Sequence, residues 1–81
     1  MQMEIGKKIY STSDIALAAF LYCSGAHLFE IDRQDRRRCI FIFDSPRPEL
    51  ISRWQEGKAN INALAFHNAY QELKARLFRG V

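Results

Sequence analysis

The longest unbroken apolar run of the chain, Ile15 to Cys23 (IALAAFLYC), constrains its fold more than any other feature. It is too short to span a bilayer, which takes about 20 residues. STSD stands just before it. There Thr12 or Ser11 can accept hydrogen bonds from the free N–H groups of a helix start, and Asp14 adds negative charge to the first turn. Gly25 supplies a left-handed stop. The spacing predicts a helix from about Ser13 to Ser24 that is apolar on nearly every face and so largely buried. Ala16, Ala18 and Ala19 let another backbone approach it closely.

A chain of 81 residues makes one domain, 1–81, with a loose start over Met1–Gly6. Few residues of so short a chain reach the interior, so its stability is thin unless something helps. Self-association is one such help. A disulfide is not expected. Cys23 and Cys39 each lie inside an apolar run, and MQMEIGKK carries no apolar core of a secretory signal. Two buried thiols in a reducing cytoplasm is the simple reading.

HLFEID (His27–Asp32) and RCIFIFD (Arg38–Asp44) read as strands joined by a hairpin. A three-residue turn, Gln34-Asp35-Arg36, sets Ile31 opposite Cys39, Phe29 opposite Phe41 and His27 opposite Phe43. One sheet face is then almost wholly apolar. The other carries Asp32 beside Arg38, Glu30 beside Ile40 and Leu28 beside Ile42. The weak point is Arg36, where such a turn usually has a glycine at positive φ. The second strand is apolar on both faces, which suits a central position. A first strand, Lys8-Ile9-Tyr10-Ser11, can add to its free edge.

After Asp44, Pro46 and Pro48 end the sheet, and Pro48 fits the first turn of a helix running to about Glu56 and closed by Gly57. Asn60 or Asn62 caps a last helix to about Phe78, with Phe66, Ala69, Tyr70, Leu73 and Leu77 as its buried stripe. Glu72 and Arg76, four apart, can pair on the wet side. The expected fold is α+β: a small three-stranded sheet in the order β-α-β-β-α-α, with helices mainly on one face.

Four stretches carry a likeness to known proteins: KKIYSTSD with the following LAAFL, Gly25 before HLFEIDR, the strand end FIFD, and WQEGKANINALAF. On these the chain resembles a family of small, functionally uncharacterised domains from bacteria, archaea and their mobile elements, from Lys7 to about Leu77. The resemblance implies a compact stand-alone arrangement. It brings no catalytic residues with it.

The candidate chemistry is sparse. Cys23 and His27 are four apart, but Gly25 breaks the helix between them, and zinc needs three or four convergent ligands. No metal or cofactor is expected. Helix capping accounts for STSD, and the four glycines stand too far apart for a phosphate loop. No catalytic set emerges, and an enzyme is not expected.

Charge is more telling. The chain holds 12 basic and 9 acidic residues, net +3. RQDRRR, Arg33–Arg38, holds four arginines and Asp35, so this one stretch carries the whole imbalance. Its cations are all arginine, which favours planar, bidentate contact with phosphate or carboxylate. The expected function is a small binding domain that contacts nucleic-acid phosphates through Arg33, Arg36, Arg37 and Arg38, with Lys7 and Lys8 extending the patch along the first strand. The alternative is a protein-interaction module or a homodimeric structural domain in which the basic turn only keeps the fold soluble. There the partner is an acidic protein surface or a second copy, meeting an apolar patch of Leu28, Ile40 and Ile42. Trp54 and Phe78 are further contact candidates, with core packing the better account of Trp54. No membrane partner is expected.

Overall fold

The structure is a computed structural model that describes residues 8–34 and 37–79. Six elements follow in the expected order: β1 (Ile9–Thr12), α1 (Ile15–Cys23), β2 (His27–Asp32), β3 (Ile40–Asp44), α2 (Pro48–Gln55) and α3 (Ala63–Arg79). The three strands form one sheet in the order β1-β3-β2, and both outer strands run antiparallel to β3. β1 and β2 are therefore parallel to each other, separated by the strand made last, and α1 bridges them.

Helix α1 is the centre of the core. Leu17, Ala18, Ala19, Phe20 and Leu21 are all buried. Five consecutive buried positions exceed one turn of 3.6 residues, so this part of the helix has no wet face. α1 packs on α3, α2 and β1. Leu50 of α2 and Ala69 and Leu73 of α3 close over it, and Phe41 and Phe43 of β3 complete the buried cluster. The stripe foreseen on α3 is the one used: Phe66, Tyr70 and Leu77 pack against the same cluster. So does Trp54, whose ring lies 5.4 Å from that of Phe20.

The local signals set the element ends. At the start of α1 the cap is Asp14, not Thr12 or Ser11: Asp14 Oδ1 accepts from Ala16 N at 2.9 Å and Leu17 N at 3.4 Å. Thr12 Oγ1 sits one step back and accepts from Asp14 N at 3.1 Å. A carboxylate accepts more strongly than a hydroxyl, and it also faces the positive helix end. At the other end Gly25 has φ +99°, and Ala26 N reaches Leu21 O at 3.0 Å while Gly25 N reaches Tyr22 O at 3.2 Å. α2 ends the same way at Gly57, φ +74°. Asn62 rather than Asn60 caps α3, accepting from Ala65 N at 2.9 Å.

The hairpin register differs from the alternating expectation. Asp32 pairs with Ile40, Ile31 with Phe41 and Glu30 with Ile42, but Leu28 then pairs with Phe43 and His27 with Asp44. A bulge between Leu28 and Glu30 makes Phe29 the extra residue. The reason is the spacing of the apolar side chains. Leu28 and Ile31 are three apart, so strict alternation would point one of them at solvent. The bulge turns both inward, against the core. Phe29 is left 59% exposed. The link between the strands lengthens to Arg33–Cys39, and Asp35 and Arg36 of the expected three-residue turn lie outside the described residues.

Leu28 therefore does not belong to an outer apolar patch. Ile40 and Ile42 are half-buried and lie outside the core cluster, on the sheet face away from it. Ile9, 55% exposed and paired with Asp44, also lies outside that cluster and shares their face. Among the described residues no helix covers this face.

Candidate nucleic-acid interface

The link Arg33–Cys39 leaves the sheet at the end where β2 stops and β3 begins. Gln34 N donates to Asp32 Oδ1 at 3.0 Å, a side-chain turn that starts the loop. Arg33 is exposed and reaches across to α3, where its Nη2 donates to Arg76 O at 3.1 Å. That carbonyl belongs to the last turns of α3, where acceptors lack helical partners and the helix dipole favours a cation. One N–H of Arg33 is thus engaged by a backbone carbonyl, and among the described residues no carboxylate pairs with it.

Arg37 and Arg38 are exposed. They border a groove of about 490 Å3 with Ser13 and Ile15 at the start of α1, Phe41 of β3 and Leu77 of α3. Arg33, Arg37 and Arg38 thus share one end of the fold. Lys8 does not join them. Its backbone brackets Ser45, with Lys8 N donating to Ser45 Oγ at 3.2 Å, and so lies at the far end of β3. Arg36 and Lys7 lie outside the described residues.

Next to the loop, α3 carries a compact polar cluster. Arg76 pairs with Glu72 at 2.9 Å, as their spacing foretells. Tyr22 completes it, donating to Glu72 Oε2 at 2.7 Å and accepting from Arg76 Nη2 at 3.2 Å, with the guanidinium 5.5 Å from its ring centre. Tyr22 is the single tyrosine of the apolar run Ile15–Cys23, and nothing in its neighbours marked it for this contact. The hydrogen bond to Glu72, with burial adding to it, pushes the Tyr22 phenol above its usual range; the Arg76 charge opposes the rise.

The thiols are half-buried rather than buried, and both are free. Burial pushes the Cys23 thiol up, and its Sγ contacts Phe20 O at 3.5 Å. Among the described residues no group of three or more His, Cys, Asp or Glu is placed to hold a metal ion. Nor, among them, is any helix long and apolar enough to cross a membrane. Phe78, a suggested contact residue, is 79% exposed.

Neither a curated protein nor a solved structure matches the chain. The sequence does match one family model, over residues 7–79, which takes in both ends of the groove and every element of the fold. The chain belongs to that family, described as a domain of unknown function (DUF5659).

Proposed function

We propose that this chain is a small non-enzymatic binding domain that grips nucleic-acid phosphates with the loop Arg33–Cys39. One observation carries the reading: the stretch that holds the whole net charge of +3 forms the loop at one end of the sheet, with Arg33, Arg37 and Arg38 exposed there. Guanidinium forks suit phosphate oxygens, and a loop tip can follow a sugar–phosphate backbone. Arg36 falls in the same loop and adds to the grip. The Thr12 hydroxyl and the Asp14 carboxylate of STSD are taken up by the α1 cap, which favours binding over catalysis. Free thiols at Cys23 and Cys39 suit a reducing cytoplasm.

Three or four phosphate contacts give modest affinity and a log–log salt slope near about −3. The test is titration of labelled DNA and RNA at two salt concentrations with the wild type and with Arg36→Ala, Arg37→Ala and Arg38→Ala combined. The triple variant is expected to bind weakly with a flattened slope. Equal binding by the two proteins refutes the reading.

A second reading concerns the outer sheet face, where Ile9 and Phe29 are more than half exposed beside Ile40 and Ile42. A second copy of this chain, packed sheet on sheet about a two-fold axis, buries that face and deepens a thin core. Native mass measured over a range of concentrations tests it. A dimer that Ile42→Lys splits supports the reading, and a monomer at every concentration refutes it.

A further inference from the structure

We infer that the groove beside the arginine loop seats one unstacked nucleobase, so that the ligand is a single-stranded nucleic acid; the inference rests on the phosphate grip proposed above. A purely electrostatic grip needs only a charged convex tip. Here Arg37 and Arg38 border instead a recess of about 490 Å3, within the roughly 300–1,000 Å3 of small-ligand pockets. Part of its lining is apolar: Ile15 and Leu77, both half-buried, and the buried Phe41. Cation and apolar surface therefore meet within the span of a single nucleotide.

A duplex satisfies only half of this arrangement. It offers phosphates on a stiff ridge and keeps its bases stacked and paired inside, so the apolar recess would stay unused. A single strand offers a phosphate and a free base from the same nucleotide. Arg38 is exposed, and no hydrogen bond or ion pair engages it among the described residues. Its planar head can bond the phosphate or stack on the base face. The Ser13 hydroxyl, which also lines the recess, is a donor and acceptor for the base edge. The nearest carboxylate along α1, Asp14, is turned to the N–H groups of Ala16 and Leu17. Among the described residues the recess has no fixed donor set of a specific base reader, so the preference is for single strands in general rather than for one base.

The test uses fluorescence anisotropy with the whole chain and three probes of equal length: a labelled oligothymidylate, its duplex with oligoadenylate, and an abasic strand. A base–pocket contact worth about 1–3 kcal/mol predicts that the single strand binds roughly 5- to 150-fold more tightly than the abasic strand. Ser13→Trp, an exposed position, fills the recess, and its ratio of single-strand to abasic affinity should fall to about one. The abasic comparison in the wild type stands even if that variant folds poorly. Equal affinity for all three probes, with one salt slope, overturns the base seat and leaves the phosphate grip standing. No binding of any probe at low salt overturns both.

Discussion

Deleting Phe29 should cost this protein almost nothing, although the residue lies inside a strand. The bulge places Leu28 opposite Phe43 and Ile31 opposite Phe41, with Phe29 unpaired between the two regular stretches. Removing it leaves Leu28 and Ile31 separated by one residue. A plain alternating strand then delivers both side chains to the core with every other pair unchanged. The lost residue is 59% exposed, so little buried area goes with it. The expected change in stability is within about 1 kcal/mol. Deleting Ile42 from β3 is the contrasting case. Phe41 and Phe43, 1% and 0% exposed, flank it on the buried face, and losing the residue between them turns one ring outward. A lost core phenylalanine costs about 3–5 kcal/mol, a large part of what a small domain has. Urea unfolding of the wild type and both deletions, followed by Trp54 fluorescence and far-UV circular dichroism, decides the matter. If the Phe29 deletion loses as much as the Ile42 deletion, the bulge is not an adaptation to the Leu28–Ile31 spacing, and the reasoning fails.

Other expectations follow from single contacts. Tyr22→Phe should lose about 1 kcal/mol by breaking the bond to Glu72. Because the folded phenol titrates above its usual value, the neutral form is the stabilising one: the contribution is full below the unfolded value of about 10 and is lost as pH rises through the higher folded value. Unfolding midpoints on either side of that window should converge between wild type and variant at the alkaline end, and a constant difference would contradict the contact. Asp14→Ala should cost about 1 kcal/mol in thermal or urea unfolding, and Asp14→Asn much less, since asparagine also caps well. Gly57→Ala meets open space but forces a side chain to φ +74°, so it should destabilise by about 1 kcal/mol; a neutral result would mean the turn relaxes.

The elements and their order were legible because the signals are local and strong. Gly25 and Gly57 stop two helices, Pro48 starts one, and the α3 stripe keeps its spacing for several turns. The sheet order followed from β3 being apolar on both faces. The register was not legible by alternation, although the clue was present: Leu28 and Ile31 are an odd number apart, and only a bulge reconciles that with one buried face. The error in register also misplaced Leu28 and set Phe29 on the inner apolar face. At the candidate site, composition alone located the arginine loop. What it could not supply were contacts between residues far apart in the chain. Arg33 meets the carbonyl of Arg76, and Tyr22 meets Glu72, only because α1 and α3 lie side by side.

The strand order has a consequence for synthesis. β1 emerges from the ribosome early, but the strand it pairs with begins only at Ile40. Until then neither β1 nor β2 has a sheet partner, and α1, which needs shelter on every side, has little to lie against. A nascent chain that stops short of β3 is thus an apolar helix between two unpaired ribbons. Once β3 slots between them, the sheet closes from both sides in a single event. The middle strand acts as a late keystone for the sheet, and α1 gains its full shelter only when Leu50, Ala69 and Leu73, made later still, close over it.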